Sequence, residues 1–106
     1  MNRQEQLMPH GIPRYIRCYD KPNCGDRYTV VFTGNYRKKT AGDFIYLGMG
    51  ERPFHPQGVG YHGSSKFQID YPTYAHLGKK IKFTDLSEDC QKLVLSDYRE
   101  LWCIKT

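Results

Sequence analysis

The chain has no run approaching the roughly 18 consecutive apolar residues that a membrane-spanning helix needs. Its opening, MNRQEQLMPHGIPR, lacks the apolar stretch of a secretory leader. Together these absences predict a soluble, cytoplasmic protein with no membrane partner. No CxxC, HxxxH or HxH spacing occurs: Cys18 and Cys24 have five residues between them, and Cys90 and Cys103 have twelve. Structural zinc draws on close Cys or His pairs, so no metal and no cofactor is expected, and without an export signal the four cysteines read as free thiols. There is also no GxSxG nucleophile turn, no internal repeat and no low-complexity tract.

What is present suits one small domain. The 106 residues fall within the usual size of a single core, and 39% hydrophobic residues with nine Tyr supply enough apolar surface to close it without staples. The net charge is +5, distributed unevenly: residues 1–39 carry eight basic and three acidic side chains, residues 40–106 eight of each. A basic N-terminal part attracts polyanions by its long-range field, and it also serves solubility.

Residues 1–13 are polar and contain Gly11 and Pro13, so they read as a flexible arm leading into a single domain over 14–106. RYIRCYD (14–20) and RYTVVFTG (27–34) are rich in aromatic and β-branched residues around a turn-forming KPNCGD, which predicts an antiparallel hairpin. DFIYLGM (43–49) predicts a third strand, and KKIKF (79–83), with Lys80 and Lys82 alternating against Ile81 and Phe83, a fourth at an edge. Asp85, three residues before Glu88, predicts the cap of a C-terminal helix whose apolar face is Leu86, Cys90, Leu93, Val94, Tyr98, Leu101 and Trp102. The expected fold class is α+β: an antiparallel sheet of three to five strands packed by that one helix, with a long ordered loop from Gly50 to Gly78. Asp97 falls on the packing face and therefore requires a partner, a basic side chain or backbone amides, with Arg14, Arg17 or Arg27 from the first two strands as candidates.

A loop that long inside a small domain is where function is sought. Its segment ERPFHPQGVGYHGSS (51–65) places His55, Gln57, Gly58, Gly60 and His62 on backbone stiffened by Pro53 and Pro56. These five residues are the candidate partner-binding site. Two imidazoles seven positions apart are also an incomplete metal or proton-transfer site, so the alternative is a small metal-dependent hydrolase or other enzyme using His55 and His62. The bland reading is that both histidines satisfy backbone groups. GVGYHG repeats the letters of a phosphate-binding glycine run without the following helix and carries no cofactor implication. Tyr36, Arg37, Lys38 and Lys39 combine ring and cation as nucleic-acid contacts do, and form the candidate nucleic-acid-binding group beside the plain reading of a solvated basic turn. Cys90 lies on the buried helix face, where a thiol is inert, which leaves Cys24 as the exposed cysteine.

The segments DRYTVVFTG (26–34), PFHPQGVGYHG (53–63) and HLGKKIKFTDLSEDCQKLVLSDY (76–98) together resemble a family of small uncharacterised proteins encoded in bacterial mobile elements and phage genomes. The resemblance covers most of the chain from Asp26 onward. It implies no activity, cofactor or catalytic residue. What it implies is a setting: a non-catalytic accessory protein in a bacterial host cell that binds a host protein, as an inhibitor does, or nucleic acid.

Overall fold

A computed structural model describes residues 3–23, 25–34, 44–65 and 77–104. Tyr36, Arg37, Lys38 and Lys39, together with Cys24 and the aromatics Phe67, Tyr71 and Tyr74, lie outside the described residues. The fold is α+β. Five strands, β1 (Ile16–Asp20), β2 (Tyr28–Phe32), β3 (Phe44–Met49), β4 (Gly60–Ser65) and β5 (Lys79–Ile81), form one antiparallel sheet in the order β4-β3-β2-β1-β5. Among the described residues two α-helices accompany them, α1 (Arg3–Leu7) and α2 (Glu88–Leu101). Among the described residues no helix is long and apolar enough to cross a membrane.

The register explains the layering. One transverse row runs Ile81, Cys18, Val30, Leu47, His62 through all five strands, and directly opposed residues of antiparallel strands share a face. Cys18, Val30 and Leu47 from this row join Phe32, Met49, Leu86, Cys90, Val94 and Tyr98 in the buried core, so this is the face that α2 covers. Val94 and Tyr98 are completely buried, and burying such side chains contributes about 2 kcal/mol each. The next row, Lys80, Tyr19, Thr29, Gly48, Tyr61, belongs to the opposite face.

Three expectations are corrected. The segment read as a flexible arm is built into the fold: Leu7 and Met8 are buried in the core, and the Tyr98 hydroxyl donates to the Leu7 carbonyl at 2.7 Å. The stretch read as one loop from Gly50 to Gly78 contains a strand, β4, whose sequence GYHGSS hides it because glycine and serine are poor strand formers. The cap of α2 is Ser87, whose Oγ accepts from the Cys90 amide at 3.3 Å, rather than Asp85, whose carboxylate instead accepts from the Lys82 amide at 3.0 Å in a preceding 3-10 turn. The apolar face predicted for α2 is the one that packs.

Candidate functional site

The connection from β3 to β4, residues 50–59, is held at both ends and within itself. The Gly50 amide donates to the Val59 carbonyl at 2.9 Å, closing its base. Two internal turns follow, His55 N to the Arg52 carbonyl at 3.1 Å and Gly58 N to the His55 carbonyl at 2.8 Å. At Gly58 a side chain would collide with the Arg52 carbonyl, which is why this tight approach needs glycine. The helix end supplies the remaining ties. Ser87 Oγ, while capping α2, donates to the Glu51 carbonyl at 2.7 Å, and Cys90 Sγ donates to the Gly50 carbonyl at 3.1 Å. Burial raises the Cys90 thiol above its ordinary value, so the group serves as a donor rather than a nucleophile.

On this backbone His55 is fixed through its ring, because the Gln57 amide donates to its Nδ1 at 3.1 Å. That bond requires Nδ1 unprotonated and, in the neutral ring, places the hydrogen on Nε2. An open depression of about 320 Å3 lies here, lined by Gly25, Gly50, Glu51, Arg52, His55, Gln57, Gly58 and Val59. Arg27 connects to its lining through Glu51: the guanidinium grips Asp20 at 2.6 and 2.9 Å and also donates to Glu51. The same cation holds the Asp20 carboxyl below its ordinary range. Phe54 stands outside the depression with 58% of its surface exposed.

The structure therefore divides the five candidate residues. His55, Gln57 and Gly58 line the depression, whereas Gly60 and His62 belong to β4 and are not among its walls. His62 closes the helix-facing row, and its Nε2 meets Asp97 Oδ2 of α2 at 2.6 Å. The expected arginine partners of Asp97 are thus replaced by a histidine; Arg27 is engaged with Asp20 and Glu51 instead. Among the described residues no group of three His, Cys, Asp or Glu is placed to hold a metal ion, so the two histidines find no third ligand there. Cys103 is exposed, against the expectation that Cys24 alone would be; Cys24 itself lies outside the described residues.

Three features escaped sequence reasoning. The Tyr61 hydroxyl donates to Asp26 Oδ2 at 2.5 Å, and this bond to a carboxylate, more than burial, pushes the phenol up to about 12. The Tyr61 ring lies over Gly48 and the Tyr46 ring over Gly63, and the two rings meet edge to face at 6.2 Å. Neither glycine could carry a side chain beneath its ring. The third feature is the use of Glu51 backbone and side chain as the hub joining Arg27 and Ser87. An aromatic and a glycine alternating in both β3 and β4 is the one signal in the sequence that points to the ring pairing.

Compared with protein-family models, curated proteins and solved structures, the chain matches none.

Proposed function

We propose that this protein is a non-catalytic accessory protein that binds a protein partner through the surface formed by residues 51–59 and the adjoining start of β4. The observation that carries this reading is Phe54, a large ring 58% exposed on a backbone tied down by Ser87, Cys90 and its own turns. A rigidly displayed aromatic loses little conformational freedom on docking and is the type of side chain that anchors protein interfaces. Arg52, His55 and Gln57, which line the depression in the same loop, offer hydrogen-bonding groups for a polar rim.

Local charge favours a protein over nucleic acid at this surface. Arg27 and Arg52 stand among Asp20, Asp26 and Glu51, so the neighbourhood lacks the positive excess that the whole chain has. Tyr36, Arg37, Lys38 and Lys39 keep their role as the separate nucleic-acid-binding candidate. The likeness to accessory proteins of phages and mobile elements supports a host protein as the partner and inhibition as the outcome. No observation favours the hydrolase reading.

The test is capture from bacterial host lysate on immobilised wild-type and Phe54→Ala protein, with and without nuclease. Expected is one protein retained after nuclease by the wild type and lost by Phe54→Ala, with a melting temperature changed by less than about 2 °C. Retention that nuclease abolishes would transfer the reading to nucleic acid. Equal retention by a folded Phe54→Ala variant would move the site elsewhere.

A further inference from the structure

Most of the carbonyls that line the depression at residues 50–59 are already occupied. Those of Gly50 and Glu51 accept from Cys90 Sγ and Ser87 Oγ, those of Arg52 and His55 from the amides of the two turns, and that of Val59 from Gly50. The Glu51 carboxylate is held by Arg27. Of the lining side chains, Arg52 and Gln57 have no polar partner among the described residues, and the His55 ring is engaged through Nδ1 alone. With the Gln57 amide on Nδ1, the neutral ring offers Nε2–H as a donor. Hydrogen-bond donors are therefore in excess here, and Arg52 and His55, both exposed, flank Phe54 in the chain. The nearby charge is balanced: Arg27 lies between Asp20 and Glu51, leaving one negative charge that Arg52 offsets, and Asp26 accepts from the Tyr61 hydroxyl. Donors without a positive excess suit one negative group met by direct hydrogen bonds, not a polyanion drawn by a long-range field.

We propose that this depression takes the carboxylate of an acidic side chain on the protein partner, an apolar residue beside that acid covering Phe54. The inference rests on the reading of residues 51–59 as a protein-binding surface and adds the chemistry recognised there. Arg52 supplies a planar fork that matches a carboxylate through two parallel N–H bonds. His55 supplies a second donor on a ring whose orientation the Gln57 amide already fixes, so little freedom is lost when the acid arrives. A side chain is the source, rather than a chain terminus. Terminal carboxylates are captured in nests of successive backbone amides. Here Pro53 and Pro56 have no N–H, and the amides of His55, Gln57 and Gly58 are bonded within the loop. Recognition is left to side chains, and an open depression of about 320 Å3 admits one reaching in from a segment laid across it.

NMR titration of the full chain with 3-phenylpropionate, and with its neutral counterpart 3-phenylpropanamide, tests it. Expected is saturable binding of the acid with a Kd of about 1–10 mM, the strength that about eleven non-hydrogen atoms supply, with shifts centred on residues 51–59. The amide should bind at least about fivefold more weakly. Arg52→Gln, a change at an exposed side chain, should lower the acid to the affinity of the amide and leave the amide as it was. Phe54→Ala should weaken both alike. Acid and amide bound equally by the wild type overturn the proposal, as does an acid that fails to saturate below about 50 mM or shifts residues elsewhere. A folded Arg52→Gln variant that keeps the full preference for the acid overturns it too. Failure here is separate from failure of the partner reading: one is read from acid against amide, the other from lysate capture on Phe54→Ala.

Discussion

The two edges of the sheet end the same rows of residues in opposite ways. At β5 the helix-facing row closes with apolar Ile81 and the other row with exposed Lys80; the strand is three residues long and Lys79 and Lys80 both reach water. At β4 the helix-facing row closes with polar His62 and the other with half-exposed Tyr61, over six residues without a charge. A short strand of lysines ends a sheet by repelling any further strand. β4 is instead held in place by what its side chains reach, Asp97 on α2 and Asp26 in the β1–β2 turn, and its neighbouring loop is fastened to Ser87 and Cys90. The difference teaches that one edge is closed by solvation, whereas the other is fixed by specific side-chain bonds, its outer backbone groups having no strand partner among the described residues.

The contrast is most sharply broken at Gly63. Gly63→Val would drive a side chain into the Tyr46 ring, and the seam between β3 and β4 should lose about 3 kcal/mol of stability in a denaturant titration. Adding Tyr46→Ala should recover part of that loss. If Gly63→Val is as stable as wild type, the ring-over-glycine account of β4 is wrong.

Asp20 comes next, because it is shared between the hairpin and the loop network. Asp20→Asn should cost about 1 kcal/mol at neutral pH, a figure kept small because the Arg27 guanidinium is partly open to solvent. The sign of its pH dependence is fixed. The folded carboxyl lies below its ordinary value near 3.8, so its contribution is full above that pH and disappears as pH falls through the folded value. Thermal melts of wild type and Asp20→Asn should therefore differ at pH 7 and converge in strong acid; parallel curves would refute the pairing.

Asp97→Ala should be milder still, about 0.5 kcal/mol, since His62 is 58% exposed and water replaces its partner. Its informative readout is local: amide exchange in β4 should quicken while exchange in β1 and β2 stays as it was. Smallest is Lys80→Ala at the guarded edge, with a stability change within about 0.5 kcal/mol. A large loss there would mean that Lys80 bears structure, and the two edges would no longer contrast.

How far the fold is readable depends on where each element's stability originates. Ile16–Asp20, Tyr28–Phe32 and Phe44–Met49 carry β-branched and aromatic residues, so their strand character is their own. The alternation of Lys80 and Lys82 with Ile81 marks β5, and the spacing of Cys90, Val94 and Tyr98 marks the buried side of α2. β4 has no such intrinsic signal, because its strand conformation is supported by rings on β3 and on itself. The N-terminal helix has helix-forming residues but is too short to show a period, and its docking comes from outside it: Leu7 and Met8 are buried in the core, and the Leu7 carbonyl accepts from the Arg14 amide and from the Tyr98 hydroxyl ninety-one positions away. Of the candidate residues, His55, Gln57 and Gly58 were legible as a stiffened loop; the separation of His62 from them was not, since it follows from strand register.

By itself the amino-acid sequence determined the α+β class, most strands, the packing face of α2 and the stretch richest in unusual chemistry, because propensity and periodicity act between residues a few positions apart. Only the tertiary structure decided that His62 meets Asp97 thirty-five positions on, that Arg27 joins Asp20 to Glu51, and that Ser87 fastens the loop bearing Phe54. Those choices depend on which strands become neighbours and in what register. A shift of one residue would turn His62 to the opposite face and leave Asp97 without its imidazole.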